Sequence, residues 1–92
     1  MDFKDTKVAE NEKCESYVNS WTQGAEKWAK EWGLDNIKCF FVVQKENPDD
    51  KDYVLVRNDE FIYDTKSYEA LVCHIDMIAL SEGKERSKGV IL

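Results

Sequence analysis

Apolar residues recur along the first third of the chain at Cys14, Val18, Trp21, Ala25, Trp28 and Trp32, in alternating steps of four and three that fall on one stripe of a helix. The pattern predicts one long helix from about Val8 to Trp32, stopped at Gly33. Glu26 with Lys30 and Lys27 with Glu31 stand four apart in the favourable order and support it from the solvent side. Gly24 costs a helix interior about 1 kcal/mol relative to alanine, so a break between Ser20 and Gly24 is the competing expectation.

The period then changes to two. Asn36 to Glu46 reads as a strand with Ile37, Cys39, Phe41 and Val43 on one face and Phe40 and Val42 on the other. Asn47-Pro48-Asp49-Asp50 breaks it, Tyr53 to Arg57 is a second strand, and Glu60 to Tyr63 returns as a third. Asn58-Asp59 between them is a two-residue hairpin turn, since both residues tolerate positive φ. A second helix, capped by Asp64 or Thr65 and closed by Gly83, carries Tyr68, Leu71, Val72, Ile75, Ile78 and Ala79 on its main apolar face.

The fold class expected is therefore α+β: a long N-terminal helix, a three-stranded antiparallel meander and a second helix. The tail, Lys84 to Leu92, is read as a short added strand or a docking segment. Residues 1–92 make one domain, with 1–7 and 84–92 loosely ordered.

The second helix is apolar on a further side, at Ala70, Cys73, Met77 and Leu80, and so needs two partners. The tryptophan-rich first helix, with Trp28 and Trp32, or the same helix of a second subunit would cover that side. These six residues are the candidate dimer interface.

Charge changes the picture more than composition does. Nineteen Asp and Glu against thirteen Lys and Arg give a formal net charge of −6. Such a surface is repelled by DNA, RNA and anionic membrane, so partners are expected to be basic or neutral proteins. No stretch resembles a secretory signal or a membrane span, and the three cysteines, Cys14, Cys39 and Cys73, read as reduced thiols, which points to the cytoplasm.

The meander brings Glu46, Asp49, Asp50, Asp52, Asp64 and Glu69 towards one end and leaves Asp59 and Glu60 at the other. A solvated face, a surface presenting carboxylates where nucleic acid presents phosphates, and a calcium loop are the three readings. The last fails because Asp50-Lys51-Asp52-Tyr53-Val54 breaks the alternation of oxygen ligands and has no glycine at the sharp turn. No metal or cofactor is expected.

Catalytic chemistry has little to stand on. His74 is the single histidine, and its neighbour Cys73 diverges from it by about 100° around a helix. No Gly-rich phosphate loop, zinc-protease or nucleophile-elbow motif is present, so an enzyme is not expected.

In size, acidity, one-domain α/β make-up and the run Asn58-Asp59-Glu60-Phe61-Ile62-Tyr63-Asp64-Thr65, a hairpin entering a capped helix, the chain resembles the antirestriction DNA mimics of T-even phages and, more widely, the anti-CRISPR proteins. The resemblance implies an acidic dimer that inhibits a host restriction nuclease or CRISPR effector through the carboxylates named above. Lys27, Lys30, Lys45, Lys51 and Lys66 depart from a uniformly acidic face. The alternatives are an interaction module with an aromatic interface, such as an immunity protein, antitoxin or adaptor, and a small enzyme of unrecognised type.

Overall fold

The computed structural model describes residues 5–84. Its element order is β1 (Thr6–Glu10), β2 (Cys14–Val18), α1 (Ser20–Glu31), β3 (Ile37–Gln44), β4 (Lys51–Arg57), β5 (Glu60–Thr65) and α2 (Tyr68–Ser81). The strands form one five-stranded antiparallel sheet in the order β1-β2-β3-β4-β5.

This overturns the expected α-β-β-β-α architecture. The first half of the expected long helix is a β-hairpin, and the sheet has five strands where a three-stranded meander was expected. Three local features decide it. The Asn11 side chain accepts the amides of Lys13 and Cys14 (2.7 and 2.9 Å) and turns the chain back on itself. Asn19 then starts a helix afresh through a capping box, its side chain accepting Thr22 N–H while Thr22 Oγ1 accepts Asn19 N–H. Between them, Cys14 to Tyr17 pair with Phe41 to Gln44, supplying β3 with its second neighbour. A strand apolar on both faces gains more from that pairing than a solvent-side helix would.

α1 therefore begins at Ser20 and runs unbroken through Gly24. A Cβ at position 24 would stand 3.2 Å from the Tyr68 hydroxyl, so the glycine makes room for that side chain. Asn58 and Asp59 both have positive φ (54° and 64°), as the tight β4–β5 turn requires. α2 starts later than the expected Asp64 or Thr65, because Ser67 is the residue whose side chain accepts the free amide of Ala70. Gly33 and Gly83 follow the two helix ends with φ of 82° and 72°.

Both helices lie on one face of the sheet. Ala25, Ala29, Leu34, Ile37, Cys39, Leu55, Leu71, Ile75 and Ala79 form the core between them and β3 and β4. A chain of aromatic contacts runs along its edge, Trp21 against Tyr68, Tyr68 against Tyr53 and Tyr53 against Phe41, with centroids 4.9, 5.5 and 5.3 Å apart. Register places Phe40, Val42, Val54, Val56 and Phe61 on the opposite face, which no described element covers. Thr6 and Lys7, expected to be loosely ordered, pair with Val18 and Tyr17. The expected C-terminal strand falls outside the described residues, apart from Lys84, whose amide donates to Ala79 O.

Candidate functional surface

The carboxylates singled out from the sequence divide into two groups. Asp50 and Asp52 are half-buried and share Lys66, whose Nζ donates to their Oδ1 atoms at 2.5 and 3.0 Å. Those hydrogen bonds, to Asp50 first and Asp52 second, raise the pKa of Lys66 above its ordinary value. Glu46, Asp49, Asp59, Glu60, Asp64 and Glu69 are exposed, and none forms an ion pair among the described residues.

Topology explains the gathering. The β3–β4 loop carries Glu46 and Asp49; pairing of Tyr53 with Thr65 brings the end of β5, and so Asp64 and the first turn of α2 with Glu69, to that same end of the sheet. Asp59 and Glu60 sit at the other end of β5, in and beside the tight turn. β5 thus carries carboxylates at both ends, with no cation between Asn58 and Thr65.

Elsewhere cations and carboxylates are interleaved. Glu10 receives Lys45 (2.6 Å) and Lys7 (3.0 Å), and hydrogen bonding from these two, Lys45 foremost, holds its carboxyl down at about 2. Arg57 on β4 makes a two-pronged contact with Glu82 at the end of α2, which lowers the pKa of Glu82. These pairs are at the surface and contribute little to stability.

The six residues of the candidate dimer interface are not brought together. Ala70, Cys73, Met77 and Leu80 do form a stripe along α2, with Met77 63% and Leu80 65% exposed. α1 does not cover it. Trp28 and Trp32 pack against the core on another flank of α2, where both indoles donate to Asp76 Oδ1 (2.6 and 2.7 Å). Asp76 was not singled out from the sequence. The signal was present in the i, i+4 pair of indoles, each with one N–H needing an acceptor, but nothing local says which carboxylate answers.

His74 stacks on Tyr63, with ring centroids 4.0 Å apart and planes 7° from parallel. Cys73 is exposed, whereas Cys39 is buried in the core and its thiol is pushed up to about 12 by desolvation, with Glu26 adding to the effect. Neither thiol is placed as a nucleophile with a base. Among the described residues no group of three or more His, Cys, Asp or Glu could hold a metal ion, and no helix is long and apolar enough to cross a membrane. Two open grooves flank the start of β3, one of about 380 Å³ beside Glu26, Lys30 and Asp35 and one of about 270 Å³ between Asn36, Lys38, Asn58 and Asp59.

No protein-family model, no curated protein and no solved structure matches the chain.

Proposed function

We propose that this protein works by its acidic surface, binding a basic nucleic-acid-handling protein of a host defence system in the place of DNA or RNA and inhibiting it. The observation that carries the reading is the set of six exposed carboxylates around β5, Glu46, Asp49, Asp59, Glu60, Asp64 and Glu69, none of them ion-paired among the described residues. Carboxylates on a loop, a tight turn, a strand and a helix start present clustered negative charge, which is what a phosphate-binding groove recognises.

Duplex DNA carries one charge per roughly 1.7 Å of axis, so a protomer of net charge −6 covers a short stretch of such a groove. Electrostatic attraction of this kind acts on association rate and falls with salt. The test is capture by the tagged protein from bacterial lysate at low and moderate salt, with duplex DNA competing in one arm. Recovery of a nuclease or other nucleic-acid-binding protein that both salt and DNA displace supports the reading, and capture indifferent to both refutes it.

A second reading, an interaction module of the immunity, antitoxin or adaptor type, is favoured by the uncovered sheet face. Phe40, Val42, Val54, Val56 and Phe61 line a surface that an antiparallel sheet facing water would ordinarily make polar. If that face supplies the affinity, Phe40→Ser abolishes capture while charge reversal on β5 only slows it.

A further inference from the structure

We infer that the free edge of β5 is a docking line for an extended, basic segment of a partner protein, which adds to the sheet as an outer strand. The inference rests on the reading above that the partner is basic, and it names the geometry of the contact. Among the described residues β5 pairs with β4 alone, so one row of its backbone N–H and C=O groups faces away from the sheet they form. Unpaired edges accept further strands, and proteins ordinarily blunt them with short length, bulges or charges. The opposite edge is blunted: β1 is five residues long, its register slips between Lys7 and Ala9, and Lys7 is tied to Glu10 and Glu15.

β5 differs from it. The register slip opposite Leu55 and Val56 leaves Ile62 without a partner residue, and Phe61 and Ile62 stand 63% and 39% exposed on the strand. A large apolar pair on an open edge is costly to leave in water. Carboxylates flank it, Asp59 and Glu60 before and Asp64 after.

These charges choose the occupant. Two copies pairing through β5 would bring its acidic flanks together, Asp59 and Glu60 of one beside Asp64 of the other, and like charges brought together are unfavourable. A strand with Lys or Arg at those positions and apolar residues between them meets opposite charge at its ends and Phe61 and Ile62 in its middle. The backbone supplies affinity and the flanking charges supply selectivity, as in other strand-addition complexes.

The test is an NMR titration of the full chain with a short capped peptide alternating lysine with valine and isoleucine. Two controls accompany it: the same peptide N-methylated at every second amide, and a lysine–serine peptide of equal charge. The expected result is shift changes confined to Glu60–Thr65, at least about tenfold weaker binding of the N-methylated peptide, and a similar loss with Asp64→Lys or Ile62→Lys. Both positions are exposed, and an unchanged urea midpoint shows that the variants fold.

Equal binding of the N-methylated peptide, shifts centred on α2 or the open face, or no binding at millimolar peptide overturns the inference. So do β5 amides already protected from exchange in the free protein, by its own tail or by a second copy. Equal binding of the lysine–serine peptide removes the edge while leaving the acidic-surface reading intact. Failure of lysate capture while the alternating peptide binds β5 does the reverse.

Discussion

Trp32 Nε1 donates to Asp76 Oδ1 at 2.7 Å, and the same oxygen accepts Trp28 Nε1 at 2.6 Å, so one carboxylate on α2 ties down both the last turn of α1 and the residue that caps it. The indoles are four residues apart and therefore on the same side of their helix. Charge-assisted bonds of this kind are stronger than neutral ones, and the site is partly shielded from water.

Asp76→Ala removes the acceptor from both indoles and is expected to cost about 1–3 kcal/mol, because a desolvated N–H left without a partner pays its full penalty. For a domain of this size that lowers the melting temperature by roughly 4–8 °C per kcal/mol. Asp76→Asn keeps an acceptor and should lose less. Urea unfolding of both variants checks this, and equal losses would deny the hydrogen bonds their role.

Gly24→Ala sets two effects against each other. Helix propensity favours alanine by about 1 kcal/mol. The new methyl would meet the Tyr68 hydroxyl at 3.2 Å, and that hydroxyl is held by its bond to Trp21 O (2.9 Å) between the Trp21 and Tyr53 rings. We expect a net loss of stability for Gly24→Ala alone. Gly24→Ala in a Tyr68→Phe background should be stabilising relative to Tyr68→Phe, and a double-mutant cycle measures the coupling.

Glu26 does the work of a missing strand. β2 pairs β3 only from Phe41 onward, and the outward amide of Cys39 donates instead to the Glu26 carboxylate at 2.9 Å. Glu26→Ala is expected to destabilise by about 1–3 kcal/mol and to speed hydrogen exchange at Cys39 above all, whereas Glu26→Gln retains protection there. Uniform loss of protection across β3 in both variants would show that the contact is incidental.

The three thiols should separate by reactivity. At mildly alkaline pH, exposed Cys73 is alkylated first, half-buried Cys14 more slowly, and Cys39 only through unfolding. The folded Cys39 thiol is raised from an ordinary 9 to about 12, so between those values the unfolded chain sheds a proton that the folded chain keeps. Stability accordingly falls as pH rises from about 9 towards 12. Cys39→Ala should flatten that part of the pH profile, and mass spectrometry of the alkylated peptides ranks the three sites.

Much of the second half of the fold was legible in the residues themselves. The alternation from Ile37 to Val43, the Asn58-Asp59 pair and the apolar positions Leu71, Ile75 and Ala79 each specify their element by a local rule of sterics or periodicity. The acidic residues could be gathered at one end because strand order in a meander follows chain order. The first half is ambiguous in sequence because Cys14, Val18 and Trp21 match a helical stripe while Cys14 to Val18 also suits a strand, and the spacing alone does not choose between the two. The Asn11 turn and the Asn19 capping box carried the answer in single side chains.

Residue type and near neighbours are enough to set the acidic charge, the lack of a recognised catalytic motif and the elements from β3 to α2. The remainder depends on packing between distant segments. Whether residues 6–18 form a hairpin that joins β3 through Cys14–Tyr17, which carboxylate receives Trp28 and Trp32, and which of the selected acids Lys66 neutralises are all long-range choices. Each is settled by contacts between residues far apart in the chain, whose energies no local pattern encodes.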